Sequence, residues 1–180
     1  MNLEQLHERD EQFTISEELL HYIYSILPTN KTILELGSGL STHKFIKHGY
    51  KVLTIEDDIA FINLVPGAVY IHAPIKQWNN TLPRSISKRC YNQIGWYDTE
   101  SIVLPSNYDL ILVDGPKREI GRVGFYINLG MFLTDIPILF DDIHSPNEYF
   151  MARMCAQKLK RDLVIKNNCY NKRPFGVILP

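Results

Sequence analysis

The chain has no surplus of charge of either sign. Over its 180 residues, 19 Lys and Arg stand against 20 Asp and Glu, a formal net charge of -1. A broad nucleic-acid surface normally needs a basic excess, so the balance argues against nucleic acid as a partner, although a local basic patch remains open. Cysteine is scarce: Cys90, Cys155 and Cys169 are odd in number and far apart. That argues against a disulfide framework or a zinc site and fits a reducing, cytoplasmic setting. No run approaches the roughly 18 apolar residues of a membrane-spanning helix. Residues 1–12 are polar and charged, with no apolar stretch of signal-peptide length. Repeats and low-complexity tracts are lacking too.

What is present is the composition of a folded domain. Apolar residues make up 45% and aromatic residues 11% of the chain, which argues against disorder and supports one core. The length suits a single domain over 1–180, with an N-terminal helix in 1–30. Thr14 and Glu17 fit a capping box for that helix. Ile15, Leu19, Leu20, Tyr22, Ile23 and Ile26 give it one apolar face, and Pro28 ends it. Short apolar runs at 32–36, 51–55, 68–72, 109–113 and 136–140 then read as strands. Helices are expected at 40–48, 121–133 and 146–159, with a helical turn near 57–64. Such alternation with nearly continuous apolar strands predicts an α/β fold, a Rossmann-like doubly wound sheet that is mostly parallel. Two final strands, 162–166 and 175–179, flank turn-rich residues 167–174 and suggest an antiparallel C-terminal hairpin at a sheet edge, bringing the sheet to seven strands. Residues 74–106 are the irregular stretch, of the length that usually carries function, and are expected to form a substrate or cap insertion.

The strongest local signal is Ile33-Leu34-Glu35-Leu36-Gly37-Ser38-Gly39, where the first strand hands over to a helix. Glycines there let the backbone turn sharply and approach a ligand closely. Ligands of open parallel sheets bind beyond the carboxyl ends of the strands. The second strand ends in Glu56-Asp57, placing a carboxylate where a ribose diol would lie. A nicotinamide fingerprint would need glycine at position 42, which is Thr42. Glu35, Gly-x-Gly and an acid closing the next strand instead resemble class I S-adenosylmethionine methyltransferases, over most of the chain. The resemblance implies S-adenosyl-L-methionine as cofactor. Glu35, Gly37, Ser38 and Gly39 would form its loop, Glu56 and Asp57 would hold its ribose, and His72, ending the third strand, would meet the adenine. The strings LELGSGLST, YDLILVDGP and LFDD also resemble a methyltransferase-like branch that includes relatives of glucuronoxylan O-methyltransferases.

Acidic residues gather at the same sheet edge. Asp114 follows the fourth strand, and Asp141 and Asp142 follow the fifth. Ser145-Pro146-Asn147-Glu148 supplies its own helix start, so the aspartates are not needed as caps. Three neighbouring carboxylates repel one another and call for a cation or for protons. Mg²⁺ or another hard divalent cation is one solution. The pattern resembles metal-dependent O-methyltransferases of the catechol and caffeoyl-CoA type. By that resemblance Asp114, Asp141 and Asp142 would be metal ligands and Lys117 the base. Asp142 stands where those enzymes usually have Asn, and Gly-Pro interrupts the Asp-x-x-Lys turn. In a metal-free site Asp114, Asp141 or His144 would be the base, histidine being the side chain whose ordinary range lies nearest neutral pH. Arg118 and Arg122 are candidates for holding an anionic substrate, and Trp96 and Tyr97 for a substrate wall or for anchoring the core.

Methyl transfer to an oxygen of a small molecule or glycan is the leading expectation. The alternative is a methyltransferase-like protein that binds cofactor or partner without catalysis, since fold does not fix function. So few residues remain outside the sheet and its helices that the cleft should be shallow and open. It would suit an extended acceptor or completion by a second subunit in a homodimer.

Overall fold

Apolar strand runs flanked by glycine turns pair here into one large sheet. The computed structural model describes residues 14–79, 81–167 and 173–180. The strands are β1 (Thr32–Leu36), β2 (Lys51–Glu56), β3 (Val69–His72), β4 (Ile75–Gln77), β5 (Gly95–Tyr97), β6 (Leu110–Val113), β7 (Ile138–Phe140), β8 (Val164–Lys166) and β9 (Phe175–Ile178). Seven of them form one sheet in the order β3-β2-β1-β6-β7-β9-β8. β3, β2, β1, β6 and β7 run parallel, whereas β9 is antiparallel to both β7 and β8. The expected terminal hairpin is therefore present, and the order reverses between β1 and β6.

The helices are α1 (Glu17–Ile26), α2 (Leu40–His48), α3 (Arg84–Ser87), α4 (Gly124–Ile127) and α5 (Pro146–Leu159). Alternating strand residues point to opposite faces. Ile33, Val52, Leu110, Leu112 and Val177 pack with Leu19, Leu20 and Ile23 of α1 and Phe45 of α2. Leu34, Leu36, Ile55, Ile111, Val113 and Phe140 pack on the other face with Phe125 of α4 and with Met151, Ala152 and Cys155 of α5. Both faces are thus covered, as a parallel sheet requires.

Several boundaries differ from expectation. The cap of α1 is Ser16, whose Oγ accepts from the Leu19 N–H at 3.2 Å, and not Thr14. A hydroxyl adjacent to the first helical residue wins over one two residues earlier. Ser145 and Pro146 open α5 as read, but the Ser145 side chain makes no capping bond and Glu148 is buried. The helix expected over 121–133 shrinks to α4 and a 3₁₀ turn, Leu129–Met131. Gly121, Gly124 and Gly130 lower helix propensity there, and Gly121 has a φ of +97°. Residues 74–106 are more ordered than expected. β4 and β5 pair antiparallel as a separate two-stranded sheet, with α3 between them in sequence. Cys90 and Cys155 are buried and free; Cys169, much of the 167–174 turn and residues 1–12 lie outside the described residues. Among the described residues no helix is long and apolar enough to cross a membrane.

Candidate active site

The site is built where β1, β2, β6 and β7 end. Gly37 closes β1 with a φ of +84°, in the left-handed region that favours glycine. A Cβ on it would lie 3.0 Å from the Gly115 Cα, and one on Gly115 would lie 2.6 Å from the Gly37 Cα. The loops after β1 and β6 therefore meet backbone to backbone, and a side chain at either glycine would force them apart.

Glu35 is buried beneath this turn. It accepts hydrogen bonds from Ser41 Oγ and Thr42 Oγ1, each at 2.6 Å. Thr42 Oγ1 in turn accepts from the Gly39 N–H at 3.0 Å. The residue that breaks the nicotinamide fingerprint is thus a bridge between the acid and the loop. Burial pushes the Glu35 carboxyl up to about 8, against the two hydroxyl bonds.

Glu56 holds the other side of the turn. Its Oε2 accepts from Ser38 N–H at 2.8 Å and Ser38 Oγ at 2.9 Å. Its Oε1 accepts from the N–H groups of Asp57 and Asp58, both at 2.8 Å. A carboxylate offers about four acceptor positions, and all are engaged by the chain itself. A ribose diol would have to share or displace one, and the Ser38 hydroxyl is the donor able to rotate away. Asp57 follows Glu56, its own carboxyl raised chiefly by burial.

Asp114, Asp141 and Asp142 do come together, with oxygens within 4.8 Å of one another. Sequence reasoning missed what sits among them. Arg122 Nη2 lies 3.3 Å from Asp114 Oδ1 and 3.2 Å from Asp142 Oδ2. Arg173 Nη2 lies 2.6 Å from Asp141 Oδ2 and 3.0 Å from Asp142 Oδ1. Nothing in the sequence flagged Arg173, 31 residues beyond Asp142. Burial raises the carboxyls of Asp114 and Asp141, Asp141 to about 7, whereas Arg122 and Arg173 hold Asp142 low. Mg²⁺ requires its oxygens at about 2.0–2.1 Å. Here both Asp142 oxygens and one oxygen each of Asp114 and Asp141 face guanidinium nitrogens, while Asp141 Oδ1 is buried without a partner, so a divalent ion would compete with two resident cations for the same acids.

The other predicted residues fall into two groups. Lys117 Nζ bonds Asp58 Oδ2 at 3.1 Å and lies over the Phe61 ring. That hydrogen bond raises its pKa and keeps it an ammonium, which cannot accept a proton. Arg122 is only 5% exposed and serves the carboxylates, not a solvent-facing anion site. Arg118 is exposed at the cavity rim. Trp96 and Tyr97 are 2% and 1% exposed, so they are core side chains and not an open aromatic wall. They stand between the sheet and α4, and border a second cavity of about 350 Å³. His144 Nδ1 is 4.0 Å from Asp142 Oδ1 and does not line the main cavity. His72, on an edge strand, is exposed and lies 3.3 Å from the Asp57 carbonyl oxygen through Nε2.

The main cavity is about 440 Å³ and is bordered by Gly37, Ser38, Glu56, Asp57, Phe61 and Asp114, among others. That is the size of a small-molecule or cofactor pocket. Arg122 Nη1 and Thr14 Oγ1, on residues that border it, and Tyr97 Oη, beside Gly115, are donors buried without a partner, as is the acceptor Asp141 Oδ1. The close glycine contact, the acidic rim and these unspent donors fit a nucleoside-bearing amino-acid cofactor.

No protein-family model and no curated protein matches the sequence. Solved structures do resemble the fold. A candidate O-methyltransferase from Klebsiella pneumoniae is 15% identical, with 98% of this chain and 86% of that one covered at a TM-score of 0.59. The C-terminal domain of precorrin-6Y C5,15-methyltransferase from Rhodobacter capsulatus is 12% identical, with 93% and 89% covered at 0.55. A precorrin-6Y C5,15-methyltransferase from Geobacter metallireducens is 10% identical, with 94% and 93% covered at 0.54. With the strand order above, these likenesses show a Rossmann-like methyltransferase fold.

Proposed function

We propose that the chain is an S-adenosylmethionine-dependent methyltransferase acting on an oxygen of a small molecule or glycan. One observation carries this reading. The Asp114 carboxylate lines the cavity at the end of β6, in the turn whose backbone touches the glycine loop after β1. A carboxylate raised by burial, beside a loop suited to the cofactor, is a sound position for a general base.

The cofactor would supply an activated methyl group on sulfur. The chain's own residues do the rest. Gly37 and Ser38 would hold the amino-acid part, with Glu35 fixing the loop from below. Glu56 and Asp57 would face the ribose, and His72 would lie near the base. Asp114 accepts the proton of the acceptor hydroxyl as that oxygen attacks, and alignment supplies much of the rate. Arg122 Nη1, buried without a partner beside it, is a donor available to orient the acceptor oxygen. Arg118, exposed at the cavity rim, would attract an anionic acceptor.

A second reading, binding without catalysis, draws support from the ion pairs that occupy Lys117 and Asp142. Calorimetry with S-adenosylhomocysteine decides whether the cofactor binds. Gly37→Ala should reduce that binding more than tenfold, because the new Cβ meets the Gly115 backbone. Asp114→Asn should retain binding but lose methyl transfer from labelled cofactor to an acceptor pool. Transfer unchanged in Asp114→Asn would remove its role as base. Binding with no transfer to any acceptor would favour the second reading.

A further inference from the structure

We propose that the three aspartates at the ends of β6 and β7 are built around two resident guanidinium groups, and that the site works without a divalent ion. As a statement about methyl transfer this rests on the function proposed above, but its metal-binding readout does not.

The case is geometric. Asp142 meets both arginines, Oδ2 toward Arg122 at 3.2 Å and Oδ1 toward Arg173 at 3.0 Å. Its φ of +57° places it in the left-handed region that Asp and Asn tolerate. An asparagine there would turn an amide donor toward one guanidinium, so this position demands a carboxylate. Asp114 and Asp141 each bind one of the same two Nη2 atoms. Asp141 Oδ1 is buried without a partner, but both oxygens of Asp142 are engaged, so an ion binding all three acids would compete there with those nitrogens.

Both arginines are anchored independently of the acids. Arg122 Nε donates to the Pro116 carbonyl oxygen at 3.0 Å, and Arg173 Nη1 to the Thr14 carbonyl oxygen at 3.0 Å. Arg122 is buried, so swinging it aside would strand a charge away from water, which is strongly unfavourable. Guanidinium stays charged at any ordinary pH. The counter-charge is therefore permanent and independent of metal supply.

The test is a Mn²⁺ titration of the full chain followed by electron paramagnetic resonance, Mn²⁺ being a spectroscopically visible ion for oxygen ligands. The wild-type chain should show no saturable binding up to millimolar Mn²⁺, and its affinity for S-adenosylhomocysteine should not change with EDTA. Arg122→Gln, with its fold checked by circular dichroism, should gain saturable Mn²⁺ binding, and Arg122→Gln/Asp142→Asn should lose it again. Saturable Mn²⁺ binding by the wild-type chain that disappears in Asp142→Asn overturns the proposal, as does a folded Arg122→Gln that gains none. Should Arg122→Gln not fold, Arg173→Gln and the wild-type titration decide in the same way. Failure of the wild-type chain to bind S-adenosylhomocysteine would sink the methyltransferase reading and leave the Mn²⁺ result standing.

Discussion

Glu35 sits among Ile33, Leu34 and Leu36 in β1 and is fully buried, so folding must desolvate its carboxyl. Its pKa rises from 4.5 to about 8, so the folded chain holds that proton more tightly than the unfolded chain. The associated stability is complete below about 4.5 and is lost as the pH rises to about 8, above which it changes no further. Asp141, pushed up to about 7, adds to the same slope. Glu35→Gln should match the wild type near about pH 5 and melt higher than it near about pH 9, each kcal/mol being worth about 3 °C in a chain this size. Scanning calorimetry at the two pH values checks this, and equal slopes would show that Glu35 stays ionised. At this scale the sequence made Glu35, Gly37 and Glu56 visible because glycine turns and strand-end acids occupy fixed local spacings. It gave no sign of Arg173, whose role depends on a contact between distant segments. Nor did it reveal that Thr42 bridges Glu35 to the Gly39 amide.

At the scale of elements, pattern reading located the large sheet well because each strand is an apolar run with its own turn signals. It failed where glycine and tertiary contact compete. α4 is short, and Gly124 packs directly on the Trp96 indole. A Cβ there would fall 2.1 Å from Trp96 Cγ and 2.5 Å from its Cβ. Those atoms lie close to the backbone of β5, so they cannot rotate away as the end of a flexible side chain would. Gly124→Ala should therefore destabilise the chain by about 1–3 kcal/mol, despite the better helix propensity of alanine. Urea unfolding monitored by tryptophan fluorescence reads both the loss and the altered Trp96 environment. A stabilised variant would mean that propensity outweighs packing at this contact. Trp96 and Tyr97 were legible as important aromatics. The choice between a core anchor and a substrate wall was not, because it depends on β4 and β5 folding back as a separate small sheet within an apparent loop.

At the scale of the molecule, one side chain joins three parts of the fold. Arg173 precedes β9 and reaches the Thr14 carbonyl ahead of α1, as well as Asp141 and Asp142 beyond β7. The N-terminal segment, the parallel sheet and the C-terminal hairpin meet there. The Arg173 side chain is 37% exposed while that of Asp141 has no exposure, so solvent weakens the arginine's share more than the aspartate's. Removing the cation leaves a buried carboxylate facing like charges on Asp142 and Asp114. Most of the cost of Arg173→Gln should thus come from the stranded acid and not from a lost attraction. The single variant should lose about 2 kcal/mol, and Asp141→Asn placed on that background should recover part of it, although Asp141→Asn alone removes an ion-pair partner. A double-mutant cycle by urea unfolding measures the coupling. Additive losses would mean that Arg173 and Asp141 act independently, and the arginine would then be a tether to Thr14 alone.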